Sequence, residues 1–351
     1  MKAVMLKLGG NNMSADRWLY ENCTSEQRAG LGRIAYTELH FDEAIWREAT
    51  ARMAAKGLDT ALIDLHEGVI YPRHPELAVK GSWTPEKLRA ELGRLRGMGI
   101  TPVPKLNFST AHSAWQKEWR YMTSTPDYYR FCADMIADVC ELFDTPPFFH
   151  LGMDEEIAAG MKTTPMLILR QGELWWHDFL FLVKEVERRG VRAWVWSDKL
   201  WACENDMEYL RRCPKSVLQS NWYYGMDFSD AVTRFDVGEI RRRGGWTCHK
   251  YAPAGYLELE KAGFEQVPTG SNWSNDGNMA ATVGFCRPRI APGRLKGFMT
   301  ASWMRCIPEQ REKLLASIDQ LAAALAVGGL FTGSAPADRL SAACSRHSPR
   351  G

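Results

Sequence analysis

Residues Phe148-Phe149-His150-Leu151-Gly152-Met153-Asp154-Glu155-Glu156 carry the densest chemistry in this chain. An apolar, aromatic run with the length of a buried strand leads into three consecutive carboxylates. At the rim of such a strand a partly dry environment separates carboxyl pKa values, so that one group keeps a proton while its neighbour stays ionised. Cleavage of a glycosidic bond needs that division of labour. A charged loop that merely follows a strand looks the same in isolation, so the elements around it must decide.

Those elements alternate along almost the whole chain. Apolar, often β-branched runs recur at 3–8, 60–65, 101–107, 147–152, 191–197, 216–221, 264–269 and 296–302. Helical stripes lie between them, such as Leu88, Leu92 and Leu95; Phe131, Met135, Val139 and Leu142; Phe179, Val183 and Val186; and Leu314, Ile318, Leu321 and Leu325. Pro85 and Pro126 stand where helices open, and glycine divides helix from strand at Gly57, Gly99, Gly190 and Gly263. Eight such units predict a single-domain (β/α)8 TIM barrel over residues 1–333, with 334–351 a disordered tail. The runner-up is a doubly wound open sheet. It would usually carry a GxGxxG turn after the first strand, and Leu8-Gly9-Gly10-Asn11 lacks that spacing. The long connections, 9–40, 66–83 and 108–125, all follow strands, which places them on the barrel face where active sites are built.

On that face the strand ends converge. Strand two supplies Asp64, His66 and Glu67, strand three Asn107 and His112, and strand four His150, Asp154, Glu155 and Glu156. Strand five ends in Trp196 and Asp198, strand six in Trp222, Tyr223 and Tyr224, and strand eight in Trp303 and Arg305. The chain holds 14 tryptophans, and several fall at these ends. Indole faces beside acids and amides suit a carbohydrate, whose CH faces pack on aromatic rings while its hydroxyls need directional partners. Core packing competes as a reading for each tryptophan taken singly. For His150, inside a strand, a satisfied core histidine is the commoner outcome.

Bulk properties exclude other classes. A formal charge of +2 over 351 residues gives no field for nucleic acid or an anionic membrane, and Arg241-Arg242-Arg243 reads as a solvated helix end. Nine cysteines without a CxxC pair read as free thiols in a reducing compartment. No stretch is long and apolar enough to span a membrane, and residues 1–10 are too short an apolar run for a signal peptide. The expectation is a cytoplasmic protein, periplasmic or secreted only if a leader has been removed.

The segment His150-Leu151-Gly152-Met153-Asp154-Glu155 resembles the His-x-Gly-Gly-Asp-Glu motif of glycoside hydrolase family 20, the β-N-acetylhexosaminidases, with methionine in place of the second glycine. The resemblance implies an exo-acting retaining glycosidase that uses the substrate's own 2-acetamido group as nucleophile, with no cofactor and no metal. Residue by residue, it implies Glu155 as acid/base and Asp154 as the group that orients the acetamide. Trp196 and Asp198 match a tryptophan followed by an acid at strand five. Tyr223 or Tyr224 matches a tyrosine that donates to the acetamide oxygen, with Trp222 beside it in the sugar wall. Trp303 matches a tryptophan lining the sugar pocket, and His112 a histidine in a comparable loop. The carboxyl end of strand seven, Pro268-Thr269-Gly270-Ser271-Asn272-Trp273, carries no acid before Asp276, Glu265 lying at the strand's opposite end, as expected where no protein nucleophile is needed.

The sequence also departs from that family. No arginine stands near the end of strand one, Arg17 lying in a different context, and the usual Trp-x-Glu of strand eight reads Trp303-Met304-Arg305. Arg305 therefore implies an anionic or unusually oriented substituent on the substrate. The small α/β domain that usually precedes the family's barrel is not among these residues.

Two other classes compete. One is a metal-dependent sugar isomerase or hydrolase on the same barrel, ligated by residues among Asp64, His66, Glu67, His112, His150, Asp154 and Asp198. The other is a carbohydrate-binding barrel without catalysis. Within the glycosidase reading, inversion stays open, with Asp64, Glu67 or Asp198 activating water.

Overall fold

The structure, a computed structural model, describes residues 1–11, 14–15, 24, 33–157, 168–202, 206–236, 238–239 and 245–327. The tail expected at 334–351, Arg17 and Arg241-Arg242-Arg243 lie outside them.

Eight strands fall within or against the predicted runs: β1 Lys2–Lys7, β2 Thr60–Asp64, β3 Thr101–Lys105, β4 Phe148–His150, β5 Arg192–Trp196, β6 Leu218–Ser220, β7 Thr269–Gly270 and β8 Phe298–Thr300. They form one parallel sheet in the order β6-β5-β4-β3-β2-β1-β8-β7. Parallel bridges Gln219↔Gln266 and Trp222↔Thr269 join its two ends, so the sheet closes into a barrel. Strand seven is shorter than its apolar run, because only the end of that run reaches a full ladder with β8.

Besides the single helical turn Lys199–Ala202, the helices are α1 Glu43–Ala55, α2 Pro85–Gly97, α3 Pro126–Leu142, α4 Gly172–Glu187, α5 Asp206–Arg212, α6 Ala252–Lys261, α7 Asn278–Cys286 and α8 Arg311–Val327. Asp42 caps α1 by accepting the Ala44 amide at 2.8 Å. Thr84 and Thr125 cap α2 and α3, each just before its proline. The predicted stripes face the sheet: Leu88, Leu92, Leu95, Phe131, Met135, Val139, Phe179, Val186, Leu314 and Ile318 are buried. Each such side chain contributes about 1.5–3 kcal/mol of burial. Gly57, Gly99, Gly190 and Gly263 all take positive φ at the turns where a helix hands the chain to the next strand.

Pro102 and Pro104 sit in β3 although proline is normally confined to sheet edges. Even-numbered residues of β3 turn their backbone toward β4, as the Leu106 amide does to the His150 carbonyl. Pairing with β4 begins only at Lys105↔His150, so neither proline interrupts a ladder.

No helix among the described residues is long and apolar enough to cross a membrane. Cys132, Cys140, Cys213, Cys248, Cys286 and Cys306 are free thiols, all buried, while Cys23, Cys203 and Cys344 lie outside the described residues.

Candidate active site

The site rests on a charged floor. Register pairs Lys7 with Asp64, Asp64 with Lys105, Lys105 with His150, and His150 with Trp194 across consecutive strands. In a barrel of this kind such a layer is usually apolar. Here Lys105 Nζ donates to Asp64 Oδ1 at 2.8 Å, and His66 Nε2 lies 3.1 Å from the same oxygen. Burial raises the Asp64 pKa, but the Lys105 and Lys7 ammonium groups hold the carboxylate ionised. Burial drives His66 down to about 3, despite the Asp64 charge, and drives His150 well below its usual value, so both rings are neutral. His150 packs 4.5 Å from the Trp196 ring and accepts the Gly152 amide on Nδ1 at 3.0 Å.

Above this floor the chain leaves β4 through a contorted turn. Gly152, Met153 and Glu155 have φ of 74°, 72° and 62°. A Cβ at Gly152 would lie 2.0 Å from Asn107 Oδ1, so glycine is required there. Met153 and Glu155 occupy the same left-handed region with side chains, at a cost of roughly 1–3 kcal/mol each. The turn keeps this form because it is tied down on several sides. Asn107 Oδ1 accepts the Met153 amide at 3.2 Å, its Nδ2 donates to Asp154 Oδ1 at 2.7 Å, and Asp198 Oδ2 accepts the Glu155 amide at 2.9 Å. Ser109 Oγ donates to the Asp154 carbonyl.

The turn sets the neighbouring carboxylates at different depths beside the same histidine. The Asp154 side chain is 4% exposed and the Glu155 side chain 15%. His112 Nε2 lies 3.2 Å from Asp154 Oδ2 and 3.1 Å from Glu155 Oε2, close enough for ion pairing but aligned for a hydrogen bond with neither. Burial opposes charge on His112, yet the two carboxylates lift it to about 10, so it is an imidazolium at neutral pH. Burial likewise opposes charge on Asp154, but His112, Lys105 and Asn107 hold it far below the usual carboxylate range. Asp198 goes the other way: burial, then the Asp154 charge, push it up to about 8. Its Oδ1 is buried without a partner.

Glu156 is a buried support. It forms an ion pair with Arg170, and its Oε1 accepts the Thr110 amide at 2.9 Å. Arg170 also meets Asp178 at 3.2 Å and donates to the Phe108 carbonyl at 2.7 Å. Thr110 opens the short 3-10 turn Thr110–His112, so this clamp sets the loop that delivers His112.

An aromatic wall closes the opposite side. Trp196 and Trp303 have ring centroids 5.7 Å apart, and Trp303 Nε1 donates to Tyr224 Oη at 3.0 Å. Burial, then the charges of Glu155, Asp154 and Asp198, push the Tyr224 hydroxyl well above its usual pKa in spite of the Trp303 hydrogen bond. Trp222 stacks on Tyr224 at 5.0 Å and packs against Trp201 and His249. Tyr223 faces the other way, as alternation along an extended segment requires. Its ring meets Phe228 and His249, and the structure does not bring it to the acids.

Arg305 stands apart from the acids. Its guanidinium lies over the Tyr36 ring at 4.9 Å, and its Cδ would sit 3.2 Å from a Cβ at Gly10. Asn11, Tyr36, Glu67, Trp115 and Lys117 line a cavity of about 330 Å³ beside it. Glu67 is committed to the Gly10 and Asn11 amides at 2.7 and 3.0 Å. A second cavity, of about 700 Å³, opens between α7 and α8 and holds none of these residues.

Among the described residues, His112, Asp154 and Glu155 form the one group whose potential ligand atoms all lie within 4.8 Å of one another. Asp64, His66, Glu67, His150 and Asp198, the other metal-ligand candidates, are not in it.

Sequence reasoning missed Lys105 and Arg170 as site residues. Lys105 was visible as the single charge in Thr101-Pro102-Val103-Pro104-Lys105. Arg170 gave no signal, since its partners lie 14 residues upstream and 8 downstream.

No known family profile and no curated protein matches the chain. Solved structures share its fold. A beta-N-acetylhexosaminidase from Bacteroides fragilis aligns with TM-score 0.58 at 13% identity, over 91% of this chain and 64% of that one. A glycoside hydrolase family 20 exo beta-N-acetylglucosaminidase from Vibrio harveyi, in complex with N-acetylglucosamine, aligns with TM-score 0.55 at 14% identity, over 93% of this chain and 58% of that one. Dispersin B aligns with TM-score 0.50 at 12% identity, over 81% of this chain and 95% of that one. The chain therefore spans less than two thirds of the first two of these proteins. At such identities the likeness establishes the shared barrel.

Proposed function

We propose that this chain is a retaining, exo-acting glycoside hydrolase of β-N-acetylhexosaminidase type, in which the substrate's 2-acetamido group is the nucleophile. One observation carries the reading. Asp154 and Glu155, adjacent in sequence, share one imidazolium, with Asp154 enclosed and ionised and Glu155 the more exposed of the two. The names of the solved structures that share the barrel support the sugar class.

In this mechanism Glu155 gives its proton to the glycosidic oxygen as the bond to C1 breaks. The acetamide carbonyl oxygen forms the new bond to C1, giving an oxazolinium ion. Asp154 accepts the acetamide N–H and stabilises the positive charge that develops there. Trp303 donates to Tyr224, which leaves the Tyr224 hydroxyl hydrogen free to bond the acetamide oxygen. Glu155, now a carboxylate, takes a proton from the water that attacks C1, and the acetamide is restored. Trp303, partly exposed and backed by the buried Trp196, offers a face to the sugar ring.

The inverting alternative fits less well. Asp64 is held by Lys105 and His66 and Glu67 by two backbone amides, while Asp198 keeps one unpartnered oxygen but, pushed up to about 8 by burial and the Asp154 charge, holds its proton at neutral pH and is no base for water. The end of β7 offers Ser271 and Asn272, and Asp276 beyond them is exposed.

The test is a panel of aryl β-glycosides with and without a 2-acetamido group, alongside a thiazoline inhibitor. Turnover restricted to acetamido sugars, with submicromolar inhibition, is expected. Turnover indifferent to the acetamido group would refute the mechanism.

A further inference from the structure

Arg305 has no role in the mechanism above, and its setting is unusual. Its Nη1 is buried and has no hydrogen-bond partner. Among the described residues no carboxylate lies within 4 Å of the guanidinium. The nearest acid across Gly10, Glu67, spends both oxygens on backbone amides, and burial raises its pKa in spite of them. The side chain as a whole is only partly buried, but a buried N–H without an acceptor is costly, and such a donor suits a ligand that brings the acceptor.

The geometry adds direction. The guanidinium lies 4.9 Å from the ring centroid of Tyr36, whose backbone is fixed by Asn11, Nδ2 donating to the Tyr36 carbonyl at 3.0 Å and Oδ1 accepting its amide at 2.7 Å. The stem lies against Gly10, where a Cβ would crowd Cδ at 3.2 Å and Nη1 at 3.5 Å. The Arg305 amide is anchored on Gln310 Oε1 at 2.6 Å. A guanidinium held against an aromatic ring and a glycine, with one N–H unpaired, retains the planar fork of donors that matches an oxyanion. Lys7, the register partner of Arg305, lies 5.4 Å from the Trp303 ring centroid, which links the strand carrying Arg305's neighbour to the aromatic wall.

We propose that Arg305, on its Tyr36 platform, is a specificity residue that binds a sulfate or carboxylate on the substrate, so that the substrate is an acidic amino-sugar glycoside. The proposal rests on the glycosidase reading for the identity of the ligand but not for the existence of the oxyanion site.

The experiment compares wild type, Arg305→Ala and Arg305→Lys. Three substrates are used: a neutral aryl 2-acetamido glycoside, the same glycoside carrying a 6-sulfate, and a disaccharide in which N-acetylglucosamine is linked to a uronic acid. Wild type is expected to prefer at least one acidic substrate over its neutral counterpart. Arg305→Ala should reduce that preference, the ratio of kcat/KM values, by at least tenfold. Arg305→Lys should restore only part of it, because a point charge lacks the fork. A loss confined to the sulfated glycoside places the anion on the cleaved sugar, and a loss confined to the disaccharide places it on the leaving group. An unchanged ratio for both overturns the proposal. If no glycoside is turned over, the glycosidase reading fails, and calorimetry then decides. Free N-acetylglucosamine 6-sulfate must bind wild type more tightly than N-acetylglucosamine does, and Arg305→Ala must abolish the difference. Equal binding of the two sugars by wild type overturns the site.

Discussion

The Glu155 amide donates to Asp198 Oδ2 at 2.9 Å, and this bond ties the end of β4 to the end of β5 at the residue proposed to move protons. Asp198 is thereby a positioning residue rather than a sugar ligand by geometry alone. Its pKa also gives it a measurable signature. An unfolded aspartate titrates near 3.9, whereas Asp198 in the fold is pushed up to about 8 by burial and the Asp154 charge. Between those values the native state holds the extra proton, so the Asp198 contribution to stability is complete below about pH 4 and lost as pH rises toward 8. Asp198→Asn keeps an acceptor for the amide and removes the titration. The variant should gain stability relative to wild type as pH rises from 5 to 8, read by urea denaturation at each pH. Parallel curves would contradict this.

Glu155→Gln should lower kcat/KM by on the order of 10²–10⁴-fold for glycosides with poor leaving groups. It should lower it much less for an activated aryl glycoside, whose departure needs little protonation. Steady-state kinetics on a leaving-group series checks this, and equal losses across the series would remove Glu155 from the acid role.

Tyr224→Phe should cost on the order of 10²-fold in kcat, the loss of one preorganised donor. Tyr223→Phe should change kcat less than threefold, because its ring turns to Phe228 and His249. The reverse ranking would mean that the strand-six alternation has been misassigned.

Arg170→Met should destabilise the fold by about 3–5 kcal/mol, since it leaves Glu156 and Asp178 buried without their shared cation. It should also loosen the Thr110–His112 turn, so that any folded fraction shows a lowered pKa for His112 by NMR. A His112 resonance still titrating near pH 10 would detach the clamp from the histidine.

Activity should survive dialysis against a chelator, and added zinc should inhibit more strongly as pH rises. His112 must lose its proton before it can ligate a metal, and its partners hold that proton up to about pH 10. Loss of activity on chelation, restored by one metal per chain, would favour the metallo-barrel reading of the His112, Asp154 and Glu155 group.

The barrel was readable because each strand and helix carries its own period, and the glycine turns at Gly57, Gly99, Gly190 and Gly263 repeat in the text. Asp154 and Glu155 were readable because they stand at the end of a strand. What lay hidden depends on contacts between distant segments. Nothing local distinguishes Tyr224 from Tyr223 until the strand direction is fixed. Nothing local says that Lys105 turns into the barrel, or that Arg170 gathers Glu156, Asp178 and the Phe108 carbonyl. Met153 was legible as a departure from glycine, but its meaning, a side chain held at a φ of 72°, needed coordinates.

The six buried thiols have a use unrelated to carbohydrate. Burial pushes Cys140, Cys213 and Cys306 up to about 12, and raises Cys132 and Cys286 as well. A thiol that is neither ionised nor accessible does not alkylate. With Cys23, Cys203 and Cys344 replaced by serine, the folded protein should be nearly silent to a maleimide dye. Cys132 and Cys140 on α3, Cys213 after α5, Cys286 at the end of α7 and Cys306 after β8 are spread around the barrel. Each would then label only when its own sector opens. The chain thus carries a set of native reporters, and their labelling rates would show whether the barrel breathes sector by sector or opens all at once.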